Sequence, residues 1–298
     1  MENLTGYSVV ILGGDDRELH LANSLVSSGA RVYTVGFEKT RYNIKAKAIY
    51  TFKDCFDFED SVDALILPFP GIDANWNLKS KFTNRVINFK DELNSLNLPP
   101  LTLVGFAKEE LKKFYQDKKA VLIEVGDKDE VAILNSIPTA EGAIALAIEN
   151  TPFTLDATPV LILGFGRCGK TLTRRLTGLN AEVTVVTRSL ADRARVREMG
   201  GFSMSMDELR TENLQKYRVV FNTVPQKVLD KEIIGKLSLT SVIIDIASGE
   251  GGTDFEAANK RKLNAILAKG LPGKYAPETS GNILSRVYPK LIKSFLGR

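Results

Sequence analysis

The chain has 298 residues, 44% of them hydrophobic and 26% charged, a balance that allows packed cores and excludes a disordered or collagen-like chain. No uninterrupted apolar run approaches the ~18 residues of a membrane span, and the opening Met1-Glu2-Asn3-Leu4-Thr5 lacks the basic-then-apolar pattern of a secretory signal. Two cysteines, Cys55 and Cys168, cannot build a disulfide framework, so a cytoplasmic protein without a membrane partner is expected. The net charge of +4 is too small to indicate nucleic acid. It is unevenly distributed: residues 257–298 carry nine Lys or Arg against Glu278 alone. That segment reads either as solvated helix faces or as a surface for an acidic partner or an anionic substrate.

Ser8-Val9-Val10-Ile11-Leu12-Gly13 is an apolar run ending in glycine, as a strand buried inside a parallel sheet should read. Leu19, Ala22, Leu25 and Val26 follow at helical spacing up to Gly29, and Ala30–Val35 reads as a second strand. Ala64–Pro68 and Leu101–Gly105 predict further strands, and Ala107–Lys119 a charged surface helix. In Asn135–Ile148, Pro138 predicts the start of a helix bridging two halves, with Ser136 and Thr139 as available caps. The opening pattern then returns as a strand Pro159–Gly164, a helix through Leu172, Leu176 and Leu179, and a strand Ala181–Val186. Gly13 and Gly164, Ala30 and Ala181, and Val35 and Val186 are each 151 positions apart. Strands Val219–Asn222, Val242–Asp245 and Ala265–Ala268 follow, and a last helix from about Ser280 to Phe295.

The expected fold class is therefore α/β, with two doubly wound parallel-sheet domains. Residues 1–137 form a flavodoxin- or Rossmann-like substrate domain completed by 280–298, the C-terminal helix returning to it. Residues 138–279 form a Rossmann dinucleotide-binding domain.

Gly164-Phe165-Gly166-Arg167-Cys168-Gly169 is G-x-G-x-x-G closing a strand and opening a helix, the context of a dinucleotide fingerprint. Gly164 permits the tight turn, Gly166 lets a pyrophosphate approach backbone N–H groups at the helix N-terminus, and Gly169 allows close helix–strand packing. About 20 residues on, where an NAD enzyme carries Asp or Glu, stands Thr187-Arg188-Ser189. Two hydroxyls and an arginine suit the 2′-phosphate of NADP, which is expected in preference to NAD. Asn222-Thr223-Val224-Pro225, the loop opening at Asp245 and Gly270-Leu271-Pro272-Gly273-Lys274 follow strand ends and should rim the same crevice.

The N-terminal counterpart, Gly13-Gly14-Asp15-Asp16-Arg17, lacks the glycine spacing and places two carboxylates where a pyrophosphate would lie, so a second dinucleotide site is not expected. Asp15 or Asp16 suits a helix cap, and Arg17 is either a surface residue or a clamp for a substrate carboxylate. Lys274 and the helix N-terminus near Thr139 are further candidates for substrate carboxylates, and the stretch through Thr279 offers another helix N-terminus. Glu141 and Asp15 are candidate proton acceptors. His20, the only histidine, reads as a surface or half-buried helical residue. Cys168 is either a small packing residue or a reactive thiol. No metal site is expected, because neither cysteine has a Cys or His neighbour at ligand spacing.

The Gly13–Arg17 turn, Pro138-Thr139-Ala140-Glu141-Gly142, the Gly164–Gly169 loop and Asn222–Pro225 belong to a wider pattern. With Ser248-Gly-Glu-Gly-Gly-Thr-Asp254 and Leu271-Pro-Gly-Lys-Tyr-Ala-Pro-Glu-Thr-Ser-Gly281, the sequence resembles the dipicolinate synthase A-subunit family of spore-forming bacteria along essentially its whole length. The resemblance implies a dehydrogenase-like polypeptide that works with the flavoprotein-like B-subunit of dipicolinate synthase in the sporulating mother cell. Its substrate would be a dihydro- or hydroxytetrahydro-dipicolinate precursor of pyridine-2,6-dicarboxylate, and assembly into a homo-oligomer is also expected. Two other readings stay open: a nucleotide-binding regulatory or scaffolding component, and another NADP-dependent oxidoreductase of the shikimate or 2-hydroxy-acid type.

Overall fold

In chain order the first elements are β1 (Ser8–Leu12), α1 (Asp16–Ser27), β2 (Arg31–Val35), β3 (Lys47–Ile49), β4 (Ala64–Ile66), the two-stranded hairpin β5 (Asn77–Leu78) and β6 (Ile87–Asn88), α2 (Phe89–Glu92), β7 (Leu101–Val104), α3 (Glu109–Asp117) and β8 (Val121–Glu124). The long helix α4 (Asp129–Glu149) leads into β9 (Pro159–Leu163), α5 (Arg167–Gly178), β10 (Glu182–Val186), α6 (Leu190–Glu198), β11 (Phe202–Met204), α7 (Met206–Thr211) and β12 (Val219–Asn222). Then come α8 (Lys231–Lys236), β13 (Val242–Asp245), α9 (Phe255–Lys260), β14 (Asn264–Leu267), α10 (Leu271–Tyr275) and α11 (Pro277–Leu296). The computed structural model describes residues 2–93 and 96–297.

The chain divides into two units, Met1–Leu134 with Ala276–Arg298, and Asn135–Tyr275. Each holds one six-stranded sheet, ordered β3-β2-β1-β4-β7-β8 in the first and β11-β10-β9-β12-β13-β14 in the second. Every pairing in both sheets is parallel. In each unit the chain runs outward, returns to the centre and runs the other way, the doubly wound order whose switch point opens a ligand crevice. The 151-residue repeat has a direct structural counterpart: Gly13 N–H donates to Val35 O at 2.9 Å, and Gly164 N–H to Val186 O at 3.0 Å.

Alternation along the central strands sorts side chains onto two faces, each buried. Val9 and Ile11 enter one core of the first unit, Val10 and Leu12 the other. Val160 and Ile162 are divided from Leu161 and Leu163 in the same way. Helix α11 belongs to the first unit, as the expected returning helix: Ile283, Leu284, Val287, Tyr288 and Ile292 share a core with Leu19, Leu21, Ala22 and Leu25 of α1. The two helices touch at Gly281, where a Cβ would lie 2.5 Å from His20 Cβ and 2.8 Å from Arg17 O. His20 is accordingly half-buried helix packing.

Helix α4 corrects the sequence reading. It begins at Asp129, and Pro138 lies inside it, so no free helix N-terminus exists at Thr139. Proline lacks an N–H and interrupts the ladder, and here the Thr139 hydroxyl donates to Asn135 O at 2.7 Å. The better start signal is Asp129-Glu130, acidic residues in the first turn. The helix is 21 residues long and its most apolar 18-residue stretch has mean hydropathy 1.6, long and apolar enough to cross a membrane, although polar residues break up its apolar runs. Several of its apolar side chains enter cores, Val131 that of the first unit and Ala140, Ala143, Ile144 and Ala147 that of the second, whereas Ile133 and Ile148 are exposed.

Candidate functional site

The three glycines after β9 occupy three different environments. Gly164 has φ +94° and no room for a side chain, since a Cβ would lie 2.4 Å from Thr223 Oγ1. Gly169 packs α5 against the turn, its hypothetical Cβ 2.2 Å from Gly164 O. Gly166 differs: it is the N-cap of α5, no side chain caps that helix, and a Cβ there meets nothing within 4 Å. An uncapped helix start beside open space is the arrangement that receives an anionic group. It opens onto a cavity of about 860 Å³, within the usual range of ligand pockets.

Gly164, Phe165, Gly166, Thr187, Arg188, Ser189, Thr223, Val224 and Pro225 line that cavity, so the loops after β9, β10 and β12 meet there, whereas the loop opening at Asp245 and Gly270–Lys274, expected on the same rim, contribute no residue to its lining. Arg188 is exposed. Thr187 is nearly buried and its N–H donates to Met204 O at 3.0 Å. Ser189 caps α6, its Oγ accepting from Asp192 N at 3.2 Å. Val186, Asp192, Met206, Gln226 and Val228 also line the cavity, and sequence reasoning misses them. Their signal is positional, because each lies at or after a strand whose end faces the same crevice.

Two expected cofactor contacts, Asn222 and Asp245, are instead the frame behind the wall. Both are fully buried. Asp245 Oδ2 accepts from Asn222 Nδ2 at 2.9 Å, Gly252 N at 2.9 Å and Thr253 Oγ1 at 2.6 Å, while Oδ1 accepts from Ala247 N at 3.0 Å. Asn222 in turn donates to Val224 O and accepts from Val224 N, which fixes the Thr223–Pro225 turn. Gly252 fits only without a side chain, its Cβ falling 2.1 Å from Val224 O.

The remaining candidates are more scattered. Arg167 is exposed. The Cys168 thiol in the first turn of α5 is pushed up by burial, with Arg167 opposing, so it stays protonated at neutral pH and makes a poor nucleophile. Ser136 is buried against the Thr171 hydroxyl at 2.6 Å, and Glu141 lies on the surface 3.4 Å from Arg175. Lys274 and Thr279 are exposed, in the second and first units respectively. No cluster of three or more His, Cys, Asp or Glu able to hold a metal occurs among the described residues.

In the first unit the turn after β1 is filled by the chain itself. Gly14 N–H donates to Lys79 O at 2.8 Å, Lys81 N–H to Gly14 O at 2.9 Å, and Ser80 Oγ to Gly36 O at 2.5 Å. This strap closes the turn that corresponds, by the 151-residue repeat, to the one at Gly164 in the second unit. Asp15 caps α1 in a capping box with Glu18. Arg17 is only 6% exposed, its Nε and Nη2 forked on the Asp15 carboxylate and its guanidinium 5.0 Å from the Phe69 ring centre. Buried this way, the fork is not presented to a ligand. Burial raises the Asp15 carboxyl, but Arg17 outweighs it and holds the group below its ordinary value, which disfavours Asp15 as a proton acceptor.

Glu18 behaves oppositely. It accepts from Phe69 N and Asp15 N, each at 2.8 Å, yet complete burial pushes it up from 4.5 to about 7 against the pull of Arg17. An acid with a raised folded-state pKa costs nothing below its unfolded value and its full amount above its folded one. Stability should therefore fall as pH rises from about 4.5 to 7, by roughly 3 kcal/mol from this group. Denaturant midpoints across that window, wild type against Glu18→Gln, measure it; an equal slope in both proteins would remove Glu18 as the cause.

Comparison with known proteins accords with this two-part architecture. Residues 8–125 match the N-terminal domain of the dipicolinate synthase A-subunit, and residues 144–269 the NAD binding domain of D-isomer specific 2-hydroxyacid dehydrogenases. The chain is 35% identical over 290 residues to the dipicolinate synthase A-subunit of Bacillus subtilis (strain 168), covering 97% of each sequence. The crystal structure of the Bacillus halodurans counterpart superposes with TM-score 0.89 at 34% identity, over 97% of this chain and 98% of the other. The Bacillus subtilis crystal structure gives 0.87 at 33%, over 99% and 98%. A transhydrogenase from Sinorhizobium meliloti, 11% identical with TM-score 0.67 over 97% and 94%, shares the fold alone. The second unit is thus a Rossmann-type NAD(P)-binding domain of the dehydrogenase kind, and the chain belongs to the dipicolinate synthase A-subunit family.

Proposed function

We propose that this chain is an NADP-dependent oxidoreductase that converts a dihydropyridine dicarboxylate into pyridine-2,6-dicarboxylate, acting with the B-subunit of dipicolinate synthase in the mother cell of a sporulating bacterium. The observation that carries the reading is the uncapped start of α5 at Gly166, opening onto the cavity with Arg188 on its lining. The first-turn N–H groups of α5 would hold the pyrophosphate, and Arg188 the 2′-phosphate. Bound NADP would supply the hydride acceptor. The ring then loses one hydride and one proton and becomes aromatic, so the protein's task is alignment and proton removal. A hydroxytetrahydro precursor would first lose water to reach the same dihydro level. Lys274, exposed and without a partner among the described residues, is the remaining cation for a substrate carboxylate now that Arg17 is tied to Asp15.

Gly166→Ala tests the cofactor site. Its Cβ has open space around it, so the unfolding midpoint should stay within about 2 °C, a few tenths of a kcal/mol. The methyl would stand where the pyrophosphate approaches, and NADP affinity measured by calorimetry should fall at least tenfold, about 1.4 kcal/mol. Wild-type affinity in the variant would place the dinucleotide elsewhere.

A further inference from the structure

Arg188 and Asp192 are the only charged residues lining the cavity among the described residues. They belong to the same short stretch, Arg188 just after β10 and Asp192 in the first turn of α6. The Asp192 carboxylate does not turn back onto its own helix cap. In α7 the equivalent Glu208 closes a capping box on Ser205, whereas in α6 the cap at Ser189 is one-sided, with the Asp192 backbone N–H alone bonded to it. The Asp192 side chain is 34% exposed, and its nearest cation is Lys170 Nζ at 3.8 Å. Lys170 comes from the first turn of α5 and also lies 5.4 Å from the ring centre of Phe165, another lining residue.

We infer that Asp192 is a specificity-determining residue: with Lys170 beside it, it opposes Arg188 at the adenosine-ribose end of the pocket and limits the preference for a 2′-phosphate. The inference rests on the proposed dinucleotide site. A 2′-phosphate carries nearly two negative charges and gains from Arg188 but is repelled by a neighbouring carboxylate. A ribose 2′-hydroxyl has a hydrogen to donate, and a carboxylate is its best acceptor. The pocket therefore holds one group suited to each cofactor, and Lys170 sets how strongly the carboxylate is felt. NAD binds measurably beside NADP, and the ratio of their affinities is set by the Asp192–Lys170 pair.

The test is equilibrium binding of NADP and NAD, by calorimetry, to the wild type, Asp192→Asn and Lys170→Met. Asp192→Asn keeps the size of the side chain and the cap at Ser189. It should tighten NADP about tenfold and weaken NAD several-fold. Lys170→Met leaves the carboxylate uncompensated and should shift the ratio toward NAD. Unchanged affinities, or an equal change for both cofactors, would overturn the role of Asp192 while leaving the dinucleotide site standing. Absence of binding of either cofactor to the wild type would instead overturn the site itself.

Discussion

Asp245→Ala should lower the unfolding midpoint of the protein by roughly 10 °C, corresponding to about 4 kcal/mol. The carboxylate is fully buried and takes hydrogen bonds from Asn222, Ala247, Gly252 and Thr253. Alanine would leave four donors facing a void, and each buried donor left unmet costs about 1–3 kcal/mol before local relaxation. The damage would reach the pocket as well, because Asn222 orders the Thr223–Pro225 wall. Asp245→Asn can keep its oxygen toward the three donors now sharing Oδ2, leaving only the Ala247 N–H unmet. It should cost about 1–2 kcal/mol. Thermal unfolding followed by circular dichroism measures both, and a loss under about 1 kcal/mol for the alanine variant would show that these loops are held by something other than Asp245.

Arg188→Asp should weaken NADP binding by roughly 30- to 1000-fold, about 2–4 kcal/mol, and NAD far less. The arginine is exposed on the rim, so its removal leaves no buried group unpaired and the unfolding midpoint should not move. Losing a charge-assisted contact and gaining a like charge act together on the phosphate, whereas the 2′-hydroxyl of NAD meets an additional acceptor. Titration of both cofactors against the purified variant distinguishes the outcomes. Equal losses would mean that Arg188 stacks on the adenine rather than pairing with the phosphate.

Those two residues show what is legible in the sequence. Arg188 is readable as a cavity-lining residue because it directly follows the apolar strand that comes after the dinucleotide fingerprint, and that strand is unmistakable. The doubly wound fold is readable for a similar reason: buried parallel strands are continuous apolar runs, and the turns at Gly13 and Gly164 repeat with constant spacing. Asp245 is visible as a strand-end acid but not as a frame residue, since its four donors lie up to 23 positions away. The strap through Lys79–Lys81 is invisible in the sequence because it contacts Gly14 through backbone atoms, which carry no sequence signal. The pattern places Arg17 at a crevice and so suggests a ligand clamp; its capture by Asp15, two residues earlier, is a local pairing that a free rotamer choice decides. The start of α4 is misplaced in the sequence because proline at a first helical turn is commoner than proline tolerated mid-helix.

The most direct measurement is turnover: purified chain with the B-subunit, a freshly generated dihydrodipicolinate precursor, and NADP or NAD, followed at once for pyridine dicarboxylate and for reduced cofactor. The two products should appear one for one, faster with NADP than with NAD, and at an NADP concentration below its dissociation constant Gly166→Ala should lower both signals together by about tenfold or more. Pyridine dicarboxylate appearing without any reduced cofactor, or no turnover with either dinucleotide, would contradict the proposed reaction.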